Sequence, residues 1–117
     1  MLFLVQTRHD GGHCPGYHPE LLPKWLEALE RREEIAAQLG VKLHGVYSAM
    51  PEHLEIAIVE ADAPTQVGML ITQLLPSEQS EIKVTPIASA EDMVALARRM
   101  TSAKLDASAV VASRCGR

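Results

Sequence analysis

A chain of 117 residues, 47% hydrophobic and with a formal net charge of −4, is sized for one domain with a real core. Its lysines and arginines are scattered, which excludes the basic stripe that nucleic-acid binding needs. The aromatic set is Phe3, Tyr17, Trp25 and Tyr47, too few for the stacking platforms of single-strand binders.

Met1 to Val5 is apolar but has no basic leader and is too short for a signal peptide. No run approaches the roughly 20 apolar residues that cross a bilayer. Cys14 and Cys115 do not make a disulfide framework. These features set the expectation of a cytoplasmic protein with reduced thiols and with neither nucleic acid nor membrane as partner.

Leu2 to His9 is an apolar run that turns polar at its end, the pattern of a first, central strand. Asp10 to His18 (DGGHCPGYH) holds three of the seven glycines and a proline and reads as a loop. From Pro19 to Leu39 the spacing of Leu22, Trp25, Leu26, Leu29, Ala36 and Leu39 predicts an amphipathic helix. Pro19 and Pro23 fit its first turn and Gly40 its stop. Val41 to Ala49 and Leu54 to Ala61 predict two strands joined by a tight turn.

Asp62-Ala-Pro-Thr then reads as the cap of a second helix, with Val67, Leu70, Ile71, Leu74 and Leu75 inward and Pro76 ending it. Glu81 to Ala88 is a fourth strand, placed at an edge or bulge by Pro86. Ser89-Ala-Glu-Asp92 resembles a capping box. It opens a further helix to about residue 107, with Val94, Ala97 and Met100 among its inward positions. The expected organisation is one domain over residues 1–107 and a flexible tail over 108–117.

Two strand–helix–strand units crossing right-handedly give an α+β, ferredoxin-like βαββαβ fold with an extra C-terminal helix. Its antiparallel sheet takes the order 4-1-3-2. Pairing the hairpin about residues 51 and 52 puts Leu43, Gly45, Tyr47, Leu54, Ile56 and Ile58 on the face expected under the helices. His44, Val46, Ser48, Glu55, Ala57 and Val59 then form an open face, too apolar for water and suited to a second copy of the chain.

The opening MLFLVQTRH, the long amphipathic helix, the hairpin and the LITQLLP segment resemble the dimeric α/β-barrel superfamily. The opening and LITQLLP are also similar to its muconolactone isomerases. The resemblance spans roughly residues 1 to 100 and implies sheets that close a barrel between two subunits. The superfamily includes cofactor-free monooxygenases, isomerases, haem enzymes and small-ligand-binding modules, so the activity stays open. No catalytic residue of a member matches a position here.

All five histidines fall in the first half of the chain. His9, His13, Cys14 and His18 form an H-x3-H-C-x3-H run, and His44 is expected beside His9 at one barrel end, with His53 and Glu55 at the other. Imidazole and thiolate donors suit Zn, Cu or Fe, so His9, His13, Cys14, His18 and His44 are the candidate metal ligands. The alternative is loop histidines that cap, hydrogen-bond or face water. Cys14 is either a thiol activated by its surroundings or an ordinary loop cysteine. The catalytic candidates are His9 or His44 moving a proton, Arg8 holding an anionic substrate or a salt bridge, and Glu55 as a buried base or an ion-pair partner.

Three functions follow as expectations. The first is a homodimer, or higher homo-oligomer, whose pocket binds a metal ion or small molecule. The second is a cofactor-free monooxygenase- or isomerase-type enzyme. The third is a non-catalytic binding or assembly module.

Overall fold

The structure, a computed structural model, describes the backbone of residues 1–74 and 81–115 and side chains as far as residue 102. The expected helix positions Leu75 and Pro76 lie outside the described residues. Two compact units divide the chain at residues 87 and 88.

The first unit contains β1 (Leu2–Arg8), α1 (Leu22–Glu30), α2 (Arg32–Gln38), β2 (Lys42–Ala49), β3 (Leu54–Glu60), α3 (Pro64–Leu74) and β4 (Glu81–Ile87). The strands form one antiparallel sheet of order β2-β3-β1-β4. That is the ferredoxin-like order anticipated from the pattern. The second unit holds α4 (Ala90–Cys115). A reciprocal pair of hydrogen bonds opens α4: the Asp92 N–H donates to Ser89 Oγ at 3.0 Å, and the Ser89 N–H to Asp92 Oδ2 at 3.3 Å. Together they satisfy two of the donors a helix start leaves bare.

The single helix expected over residues 19–39 is two. Arg31, at φ −94° and ψ 8°, interrupts it, so α1 and α2 keep separate phases. Ala28, Ile35 and Ala36 are buried, whereas Leu22 and Leu26 of the expected inward stripe are exposed. Gly40 ends α2 in the left-handed region at φ 69°, where a side chain is unfavourable. The cap of α3 also differs from expectation. It comes from Gln66, whose Oε1 accepts from the N–H groups of Asp62 and Ala63 while its Nε2 donates to the Leu39 carbonyl. One amide therefore ties the start of α3 to the end of α2.

The core sits between the sheet and α2 and α3. Phe3, Val5 and Val59 from the sheet meet Ile35, Ala36, Val67, Leu70 and Ile71. Each large aliphatic or aromatic side chain buried there contributes roughly 1.5–3 kcal/mol.

Which face the helices cover is the reverse of the sequence expectation. Phe3 pairs with Val59, Val5 with Ala57 and Thr7 with Glu55, and Phe3, Val5, Thr7, Glu55 and Val59 are all buried. The face assigned to a second subunit is therefore the one covered by the chain's own helices. The opposite face carries Leu2, Leu4, Gln6 and Arg8 beside Leu54, Ile56 and Ile58, with Tyr47 paired to Ile56. The physical reason is that β3 is apolar on both sides, so alternation in the hairpin cannot choose. The central strand chooses, by burying Phe3. A bulge between Leu43 and Gly45 also breaks the strict alternation assumed for β2.

Replacing Gly40 with alanine should destabilise the protein by about 1–2 kcal/mol, because the left-handed backbone is costly for any residue with a Cβ. Asparagine at the same position should cost less. Urea unfolding of the two variants checks both the sign and the order.

Candidate metal centre

His9, Cys14 and His53 come together at one end of the sheet. Each offers a ligand atom, and the three atoms lie within 4.8 Å of one another. His9 continues the inward alternation of Phe3, Val5 and Thr7 and is 6% exposed. Its backbone N–H donates to the His53 carbonyl at 3.1 Å, extending the β1–β3 ladder past Arg8 and Leu54. The two imidazoles meet edge to face, with ring centroids 5.2 Å apart.

His53 closes the turn between β2 and β3 in the left-handed region, at φ 54° and ψ 38°. It is the one non-glycine with positive φ among the described residues. Strained backbone of this kind persists where surrounding structure enforces it, often at functional sites.

Cys14 reaches the histidines through the fold of its loop. Gly11–His13 make a short 3-10 turn, His13 N–H donates to the Asp10 carbonyl, and Tyr17 N–H donates to the Cys14 carbonyl at 3.0 Å. Tyr17 then places its ring edge-on to His53, at 5.7 Å.

The expected neighbour His44 is elsewhere. β3 lies between β1 and β2 and runs antiparallel to each, so β1 and β2 run the same way and their ends coincide. The end of β1 is therefore level with Ser48, Ala49 and the turn, and His53 stands where His44 was expected. His44, near the start of β2, lies 3.0 Å from Glu60 Oε1, and that contact holds the Glu60 carboxyl below its usual range.

His13 and His18 also face other partners. His13 Nδ1 is 2.7 Å from Asp10 Oδ1, and this hydrogen bond lowers the Asp10 carboxyl. His18 Nε2 lies 3.1 Å from the Gly11 carbonyl oxygen, with Nδ1 3.5 Å from Glu20. Arg8 belongs to the open face, where its Nη1 donates to the Glu52 carbonyl at 2.8 Å. It does not share the histidine cavity.

Burial, then the adjacent His53, pushes the His9 imidazole below its ordinary value, which keeps a lone pair available near neutral pH. Both ring nitrogens of His9 and the Nδ1 of His53 are buried without a hydrogen-bond partner among the described residues. Such orphaned groups are rare in folded proteins, and each costs about 1–3 kcal/mol unless something satisfies it.

The cluster opens on a cavity of about 320 Å³, with Tyr17, Leu22, Trp25 and Met50 on its walls and Ser48 and Glu55 beside the histidines. Glu55 is buried, and that burial raises its carboxyl pKa against the opposing effect of the Ser48 hydroxyl, which donates at 3.3 Å. The sequence reading missed His53 by placing it at the wrong end of the barrel. The signal that locates it is direction counting: two successive antiparallel pairings return a strand to its original sense.

No protein-family model matches the chain, and no curated relative does. Among solved structures, the chain is similar to SCO4226 of Streptomyces coelicolor A3(2) at 16% identity and a TM-score of 0.45. That match covers 76% of this chain and all of the other. It is also similar to an uncharacterised NIPSNAP domain protein of Burkholderia xenovorans, at 14% identity and a TM-score of 0.46 over 77% of this chain and 96% of that one. Likenesses this distant leave the site to this chain's own residues. No helix among the described residues is long and apolar enough to cross a membrane.

The buried Glu55 sets a pH dependence. Its raised value means that the fold favours the protonated carboxyl, so its contribution is complete below the usual carboxylate range and is lost as pH climbs through the raised value. Glu55→Gln in metal-free protein should therefore raise Tm relative to the parent at pH 8, with the advantage vanishing near pH 4. Melting curves at the two pH values check this.

Proposed function

We propose that this chain is a metal-binding protein that holds one Zn²⁺- or copper-class ion through His9, Cys14 and His53. The observation that carries the reading is a buried and a half-buried imidazole, three of whose nitrogens are buried atoms with no partner among the described residues, packed beside a thiol. Two imidazoles and one thiolate suit borderline and soft ions and disfavour Mg²⁺ and Ca²⁺.

Bonds of about 2.0–2.3 Å to nitrogen and sulfur in a tetrahedral site imply donors roughly 3.3–3.7 Å apart. The trio, with its ligand atoms within 4.8 Å of one another, would contract by about 1 Å to reach that spacing. Three protein ligands would leave a fourth position for water or an added ligand, and the same three residues line the cavity. An ion with an open position polarises whatever binds there, and Glu55 and Ser48 are placed to receive or orient a proton on that ligand.

In tag-free protein, Zn²⁺ should bind at one ion per chain, measured by competition with a chromophoric chelator. His9→Ala, Cys14→Ser and His53→Ala should each weaken binding by about 100-fold or more, whereas His44→Ala should leave it within about threefold. Equal losses at His44 and His53 would refute the assignment, as would folded protein that takes up no ion.

A second reading concerns assembly. Leu4, Ile56 and Ile58 form an apolar row on the face away from α2 and α3, with Tyr47 beside it 59% exposed. We assign that face to a second copy of this chain, because a flat apolar sheet face is complementary to itself about a two-fold axis. Light scattering should give twice the chain mass. Ile56→Asp should shift it toward a monomer while Zn²⁺ binding by the separate His/Cys end persists, and a parent protein that is monomeric at high concentration would remove the reading.

A further inference from the structure

The geometry points to a specific class of exogenous ligand for the open metal position: a small uncharged molecule with one flat apolar ring and a single nitrogen or sulfur donor. The inference rests on the metal reading above and deepens it. It starts from the size of the cavity. An apolar cavity of about 150 Å³ already accepts benzene, so about 320 Å³ has room for a ring and a short polar group, and too little for a nucleotide.

The wall comes next. Pro15, Tyr17, Leu22, Trp25 and Met50 supply aromatic and aliphatic surface to the cavity, the kind of lining that takes a ring by burial. Besides His9, Cys14, His53, the Tyr17 hydroxyl and the Trp25 indole N–H, the polar side chains lining the cavity among the described residues are Ser48 and Glu55. They and the His/Cys trio share the cavity with that apolar surface, so a ligand with both a polar head and an apolar body matches the lining.

Charge is the third element. Among the described residues neither lysine nor arginine lines the cavity, and Arg8 is on the opposite face of the sheet. An anionic carboxylate or phosphate would find only the bound ion as a positive partner, with no lysine or arginine among the described lining residues to add to it and the Glu55 carboxyl on the same wall. The lining therefore gives no support to the anionic substrate that Arg8 suggested on sequence grounds, and favours a neutral azole or thioether head.

The test uses Co²⁺ as a coloured substitute ion and compares imidazole with 4-phenylimidazole, which share a donor and differ by one ring. Trp25 is the sole tryptophan, so its fluorescence reports on the wall while the Co²⁺ bands report on the metal. The added ring should tighten binding by at least about tenfold, from burial of one phenyl group, and should change Trp25 emission. Benzoate should not compete. Leu22→Ser combined with Met50→Ser alters two residues that are 45% and 77% exposed, so the fold should tolerate it, and it should reduce the ring's advantage to about threefold or less.

Imidazole and 4-phenylimidazole binding within about twofold of one another would overturn the inference while leaving the metal centre intact. So would benzoate competing as well as 4-phenylimidazole, or a ring advantage unchanged in the double variant. Failure of Co²⁺ to bind at His9, Cys14 and His53 would remove the metal reading itself, and this inference with it.

Discussion

A single backbone hydrogen bond, from the His9 N–H to the His53 carbonyl at 3.1 Å, determines where chemistry can occur in this fold. It is the last rung of the β1–β3 ladder and lies just beyond the paired residues Arg8 and Leu54. With it in place, two imidazoles from segments more than forty residues apart are held edge to face. The loop that leaves β1 must then pass over them, and Cys14 is on that loop. The cluster depends on strand pairing for two of its donors and on a short turn for the third.

The same ladder explains why the histidines are buried at all. β1 is the inner strand between β3 and β4, and every second residue from Phe3 to His9 faces the helices. Phe3 and Val5 occupy the dry middle of that row, while Thr7 and His9 continue it toward the cavity. Burial thus changes gradually from hydrocarbon to polar groups along one strand. Glu55, paired with Thr7, continues that polar end onto β3. The polar atoms are placed by the register that packs the core, with no separate scaffold for them.

Much of the fold was legible in the sequence. The helical spacing of Val67, Leu70, Ile71 and Leu74, the stop at Gly40 and the Ser89–Asp92 cap all follow from local rules that operate over three or four residues. The strand order follows from chain connectivity. Two features could not be read locally. The covered face depends on which side of an evenly apolar β3 meets Phe3, a contact between distant segments. The break at Arg31 has no glycine or proline to announce it. For the site, His9 and Cys14 stood out through their crowded loop, but His53 was separated from them by an error of direction, and His44 was drawn in by the same error.

The left-handed backbone at His53 has an implication for how such a centre could be lost or gained. Glycine would relax that corner of the hairpin at no steric cost, so substitutions that improve the turn would tend to discard the imidazole. Retaining a histidine there opposes the conformational preference of the chain. A hairpin optimised only for folding would drift toward a smoother corner, and with it would go the imidazole that His53 sets beside His9 and Cys14.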